Sequence, residues 1–393
     1  MTVPHQALPE SALPTHAQRL LLKACLLEGA PAVCAWEEWS ETVALDDVDA
    51  ASQRLIPLLA RNLRAAGISH PDVGRMRGIH RYWWSRNQVL LRKLPAVLGL
   101  LRAEGIEPLV LKGVPLALGY YEDAGLRPMA DFDVLVKTEH ADRAVELLHR
   151  DGWTVNEPVW IFRRDGRVDT YARPGVGFVA PDRTQCDIHW HMLHDCCWDG
   201  ADTDFWQRAV RLEWQGNSFL VPQATDLLFH VIVHGAAYNN VAPIRWIADA
   251  AIVMRKAPDA IDWDRLVALA ERRMLMLVVR RAFEQLAELS GTTAPAEVMR
   301  RLAAAHVSWA ERREYARRVV DIDYRYTIVG RWCELSRQNA NASLSRRISR
   351  IPGFMQQIWA VDRKAALPLT LAFRIVPAYV ARVVRGKALP ARG

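Results

Sequence analysis

Asp131-Phe132-Asp133 sets two carboxylates one residue apart at the head of an apolar run through Val134, Leu135 and Val136. Side chains alternate along a strand, so Phe132, Val134 and Val136 share one face while Asp131 and Asp133 share the other. Like charges side by side repel. A divalent cation removes that repulsion, and hard oxygen ligands suit Mg²⁺ or Mn²⁺. The bland alternative is a solvated strand end carrying two surface aspartates.

A second informative stretch runs from Thr184 to Leu193. At the same period of two, Cys186, Ile188, Trp190 and Met192 form a mostly apolar face, and Gln185, Asp187, His189 and His191 the opposite one. His189 and His191 then share a face with Asp187. There they contact a phosphate, orient an acceptor, or serve structure alone. His194, Cys196 and Cys197 add ligand types nearby, but no Cys-x₂-Cys pairing completes a four-ligand zinc site.

The elements that must position these groups begin upstream. Leu109-Val110-Leu111-Lys112-Gly113 reads as a buried strand that breaks at glycine, followed by a helix over Pro115–Tyr121 and a polar turn over Gly125–Pro128. A long helix over Met76–Glu104 precedes them, with Leu90, Leu91, Leu94, Val97, Leu98 and Leu101 facing inward. Arg81, Arg86 and Asn87 lie on it, either within reach of a phosphate or on a solvated face.

Leu111-Lys112-Gly113, a short helix, Arg127-Pro128-Met129 and Asp131-Phe132-Asp133-Val134-Leu135-Val136 together resemble the DNA polymerase β-like nucleotidyltransferase superfamily. Within it they are similar to an uncharacterised bacterial nucleotidyltransferase branch associated with peptide natural-product (lasso peptide) clusters. The resemblance implies an α+β fold, in which a small mixed nucleotidyltransferase sheet is flanked by N-terminal and C-terminal helical regions. It implies three catalytic and metal-binding carboxylates, Asp131, Asp133 and Asp187, holding Mg²⁺ or Mn²⁺. It further implies that Lys112 and the Gly113 amide meet the triphosphate and that Arg127 neutralises developing charge. Lys112-Gly113 stands where the superfamily carries a Gly-Ser or Gly-Gly pair. His234, Arg245 and Asp249 resemble positions of the branch that contact acceptor or phosphate, or else form a buried Arg–Asp pair between helices. The implied substrate is an NTP, and the acceptor is a small molecule, a peptide or a protein.

The remaining residues bound these expectations. At 393 residues, half of them apolar, the chain is long enough for two or more domains. The expected division is a helical region over 1–104, an α+β domain over 105–222, a helical domain over 223–342 and a basic tail over 343–393. Ten Lys/Arg against one Asp in that tail leave the rest of the chain near neutrality, although the net charge is +7. Overall basicity is therefore no argument that the catalytic region binds nucleic acid. The tail's apolar run is interrupted by Arg374 and two prolines, which excludes a membrane span and fits an anionic surface or an acidic partner. Six scattered cysteines and a polar start without signal-peptide character suit a cytoplasmic protein with reduced thiols.

Elsewhere, helices are expected over Thr15–Gly29, Asp46–Ala66, His140–Arg150, Asp226–Tyr238, from Pro243, and over Asp262–Leu289, Pro295–His306 and Trp309–Cys333. Short strands are expected at Val159–Arg163, Val168–Ala172 and Gly177–Ala180. Two rival functions use the same Asp-x-Asp: a glycosyltransferase with a metal-bound nucleotide sugar, and a non-catalytic nucleotide-binding scaffold. The glycine turn of a dinucleotide fold is missing, which counts against the former.

Overall fold

A computed structural model describes residues 13–156, 167–171, 173–236, 244–318, 328–339 and 343–358. The chain opens with α1 (His16–Leu26), α2 (Ala30–Thr42), α3 (Ala50–Gln53), α4 (Ile56–Ala65) and the long α5 (Pro71–Ala103). Thr15 caps α1 in a capping box with Gln18, and Pro31 starts α2, an element the apolar periodicity did not reveal. The single helix expected over Asp46–Ala66 is broken: Asp49 accepts from the amides of Ala51 and Ser52 and starts a new short helix there.

The α+β centre follows: β1 (Leu109–Leu111), α6 (Gly113–Gly119), β2 (Asp131–Leu135), α7 (Ala141–Arg150), β3 (Thr154–Val155), β4 (Gly175–Val179), β5 (Gln185–His189), α8 (Thr203–Gln207), β6 (Val210–Trp214) and β7 (Asn217–Val221). These seven strands form one mixed sheet in the order β3-β4-β5-β2-β1-β7-β6. β2 lies between β1, antiparallel to it, and β5, parallel to it. Its apolar side chains are buried on the expected face, with Phe132 and Val134 fully covered. The expected strand at Val159–Arg163 lies outside the described residues, and so does Ala172. The β6–β7 hairpin, turning at Gln215-Gly216 with positive φ at both residues, went unread in the sequence.

The helical remainder comprises α9 (Ala224–Gly235), α10 (Arg245–Lys256), α11 (Trp263–Arg272), α12 (Met276–Ser290), α13 (Ala296–Ala304), α14 (Trp309–Arg318), α15 (Ile328–Gln338) and α16 (Leu344–Ile358). The helix expected over Asp262–Leu289 is two, parted at Met274, whose φ is +53°. One apolar cluster joins Leu21 and Leu22 of α1, Leu59 of α4, Leu228 and Ile232 of α9, Ile247 of α10 and Phe283 of α12 to Leu109, Leu111 and Leu135 of the sheet. A second cluster, on the sheet's other face, joins Leu91, Leu94 and Leu98 of α5 to Phe132, Ile188 and Leu148. The fold is α+β as expected, a mixed sheet flanked by N-terminal and C-terminal helices, and those helices also share a core. No helix among the described residues is long and apolar enough to cross a membrane.

Candidate active site

Strand register brings the acidic groups together. Asp133 of β2 pairs with Asp187 of β5 on parallel strands, and Asp131 pairs with Gln185 two residues earlier. The three carboxylates therefore rise from one face of adjacent strands. Asp131, Asp133 and Asp187 line a cavity of about 360 Å³ between the sheet, α5 and the α9–α10 pair. Lys112, Gly113, Arg127, His234, Arg245 and Asp249 line the same cavity, so most of the expected site residues converge there.

The tightest group of metal-ligand atoms differs from the expected trio. Oxygens of Asp133 and Asp187 and a ring nitrogen of His189 lie within 4.8 Å of one another, while Asp131 stands outside that group. Lys112 holds Asp133 from the opposite strand. Its Nζ donates to Asp133 Oδ1 at 2.5 Å and lies 3.3 Å from His189 Nε2, which is itself 2.9 Å from the same oxygen. Lys112 reaches this position from a left-handed backbone, φ +47°, at the turn from β1 into α6. Non-glycine residues occupy that region at a cost of roughly 1–3 kcal/mol, and such costs cluster at functional sites. The next residue is closely packed: a Cβ on Gly113 would lie 3.0 Å from both Arg127 Nη1 and Met129 Sδ and would press both side chains back by a few tenths of an ångström.

The electrostatics divide the carboxylates. Burial works to raise Asp133, but the Lys112 ammonium and the His189 hydrogen bond more than offset it and hold the carboxyl well below its usual range. Asp187 has no such partner: burial, then the charges of Asp133 and Asp131, push it up to about 7. Burial and Asp133 also raise Asp131. Burial and Lys112 lower His189, leaving a neutral ring. Negative charge is thus left uncompensated on the Asp131 and Asp187 side, while an ammonium already rests on Asp133 where a cation would sit. An oxygen-rich donor set of this kind fits Mg²⁺ or Mn²⁺.

Other residues have different work. Arg127 is buried and spends its guanidinium fork on Asp249, Nε to Oδ1 and Nη2 to Oδ2, both at 2.9 Å. Tyr121 donates to the same carboxylate at 2.8 Å. The expected Arg245–Asp249 pair exists within α10 but is the looser one, and the close two-pronged partner of Asp249 is Arg127. Arg245 donates to the Pro128 carbonyl and lies 4.0 Å from Asp249, leaving it the less committed guanidinium at the cavity. Burial and the neighbouring Arg127 bring it down to about 10. Asn87 is fully buried, neither solvated nor at a phosphate: Nδ2 donates to the carbonyls of Ala124 and Arg127, and Oδ1 accepts from the Met129 amide. It fixes the loop that delivers β2.

His191 departs from the expected face. β5 ends at His189, and the amides of Trp190 and His191 both donate to the Pro174 carbonyl, so the alternation stops. His191 Nδ1 instead lies 3.0 Å from Asp202, at a separate cavity beyond the strand end. Cys196 and Cys197 are buried and in no disulfide among the described residues, and the Cys197 thiol donates to the Leu193 and His194 carbonyls. His230, one helical turn from His234, also lines the acidic cavity, as do Trp83 and Arg54, which nothing in the sequence marked. His230 is 1% exposed and neither ring nitrogen has a hydrogen-bond partner. Its place one turn before His234, on the same helix face, was the signal for it.

One comparison with known proteins, against family profiles, points the same way. The profile of a family described as uncharacterised nucleotidyltransferase matches residues 37–291, which take in α5, the whole sheet and α9–α12. No curated protein matches the chain. Among solved structures the chain is similar to the crystal structure of an antigenic nucleotidyltransferase-like protein from Paracoccidioides brasiliensis. That likeness has 14% identity and a TM-score of 0.32, covering 54% of this chain and 96% of that one.

Proposed function

The chain belongs to the uncharacterised nucleotidyltransferase family, and from that premise we propose that it transfers a nucleotidyl group from an NTP to an acceptor hydroxyl. The observation that carries this reading is the register of Asp133 against Asp187, with Asp131 on the same face, at the wall of a cavity large enough for a nucleotide. Asp133 and Asp187, with Asp131 beside them, would hold Mg²⁺ or Mn²⁺. Such an ion supplies charge stabilisation at the α-phosphate and at the attacking and leaving oxygens.

The chain's own groups do the rest. The acceptor oxygen attacks the α-phosphorus, the bond from that phosphorus to the bridging oxygen breaks, and pyrophosphate leaves. Asp187 accepts the hydroxyl proton. The Lys112 ammonium, now on Asp133, and the Gly113 amide would meet the triphosphate. Arg245 meets developing charge on the phosphates, a role open to it because Arg127 is occupied by Asp249. His234 faces the acceptor.

The test combines turnover with binding. Pyrophosphate release is measured with each NTP in Mg²⁺, Mn²⁺ or chelator, beside Mn²⁺ titrations followed by electron paramagnetic resonance. Asp133→Asn and Asp187→Asn are expected to weaken Mn²⁺ binding and to slow release by about 10²-fold or more. Mn²⁺ binding unchanged in both variants would refute the assignment. Nucleotide binding without cation dependence would turn the reading to a non-catalytic scaffold.

A further inference from the structure

Helix α16 is amphipathic, yet it turns the wrong side to the protein. Leu344, Ile348, Ile351 and Met355 recur at helical spacing and share one stripe roughly 17 Å long. A helix of a globular protein packs such a stripe on the core. Here Leu344 is 62% exposed and Ile348 52%, while Ile351 and Met355 are half-buried. The body is met from another side of the helix. Phe354 is the one buried side chain among the described residues of α16, and Arg350 donates to Asn339 Oδ1 just past α15. Helical spacing sets Phe354 and Arg350 about 90° and 130° round from the centre of the stripe.

Charge indicates what covers the stripe. Between Glu334 and Asp362 the sequence has no acidic residue, while α16 carries Arg346, Arg347 and Arg350. Arg347 stands at the edge of the stripe, three residues after Leu344 and one before Ile348. A long arginine stem there lies along apolar surface and keeps its guanidinium at the polar boundary. An acidic peptide would meet the cations and leave the leucine and isoleucines in water. A second copy of this chain would bury stripe on stripe but set two basic helices side by side, and like charges in apposition are costly. Anionic headgroups above an acyl boundary suit both the cations and the apolar side chains. At 15 residues with three arginines, α16 is too short and too charged to span a bilayer, so it would lie in the plane of one.

We propose that α16 is a peripheral anchor that lies on an anionic lipid surface, with Leu344, Ile348, Ile351 and Met355 sunk below the headgroups. No described residue of α16 lines the acidic cavity, so anchor and chemistry are separate and are read separately. The test is co-sedimentation of the full chain with vesicles of phosphatidylcholine alone or mixed with phosphatidylglycerol, at roughly 50 and 200 mM salt. The chain is expected to bind the mixed vesicles, less at the higher salt, and to leave phosphatidylcholine vesicles largely unbound. Leu344→Ser with Ile348→Ser should weaken binding about tenfold or more. Arg346→Gln with Arg347→Gln should weaken it about fivefold, near the worth of the one charge at the edge of the stripe. Leu344 and Ile348 are exposed, so thermal unfolding and Mn²⁺ binding of their variant should match wild type.

Unchanged vesicle binding in the Leu344/Ile348 variant would move the contact to residues beyond 358 and overturn the inference, as would no binding to the anionic vesicles. A chain that light scattering finds dimeric without lipid, and monomeric in that variant, would overturn it as well by putting a second copy over the stripe. Vesicle binding of the expected pattern in a chain without cation-dependent pyrophosphate release would count against the proposed chemistry and leave the anchor standing.

Discussion

At the scale of single residues, the cavity depends on which guanidinium is free. Arg127 and Asp249 are both 5% exposed and paired through two hydrogen bonds, and Tyr121 fills a further position on the carboxylate. Removing one member strands a buried charge, so Asp249→Ala should destabilise the chain by about 3–5 kcal/mol in denaturant unfolding. Arg245→Ala, whose group faces the cavity and gives up one carbonyl contact, should cost only about 1 kcal/mol while raising the KM for NTP. Equal losses of stability in the two variants would remove the distinction between a positioning pair and a phosphate contact. The sequence placed Arg127, Arg245 and Asp249 near the site but could not say which arginine takes the carboxylate. That choice depends on how α10 packs against the loop before β2, a contact across more than a hundred residues.

At the scale of elements, the strands that carry the aspartates were the most legible part of the chain, because period-two alternation is local and each strand states its own faces. Asp131, Asp133 and Asp187 could be set on polar faces from Phe132, Val134, Cys186 and Ile188 alone. What alternation could not supply was where a strand stops: His191 was misplaced because Pro174 captures two successive amides just past β5. Nor could it supply strand order, since β7 joins β1 from far along the chain. The β4–β5 contact gives the element-scale prediction. A Cβ on Gly175 would lie 2.5 Å from the Ile188 carbonyl oxygen and 2.9 Å from His189 Nδ1. Backbone cannot yield as a side-chain tip can, so Gly175→Ala should cost about 1–3 kcal/mol and displace His189 from Asp133. Thermal unfolding and the His189 ring resonances check it; wild-type stability together with unshifted resonances would show that β4 is not what seats this histidine.

At the scale of the whole molecule, stability couples helices far from the cavity to the shared core, and one buried acid offers a handle on that coupling. Glu311 of α14 is 4% exposed and accepts from the Leu277 amide at the start of α12 at 2.9 Å. Burial, only partly offset by that hydrogen bond and by Arg337, lifts its carboxyl from the usual 4.5 to about 7. A carboxyl raised on folding binds its proton more tightly in the native state, so its contribution is fully present below about 4.5 and is lost as pH rises through about 7. Glu311→Gln keeps an acceptor for the Leu277 amide and removes the titration. The difference in unfolding free energy between wild type and this variant should therefore shift in the variant's favour between pH 4.5 and 7 and level off above. Denaturant unfolding across that range decides it, for a difference that stays flat with pH would mean Glu311 remains ionised against α12 and that the α12–α14 contact carries a buried charge.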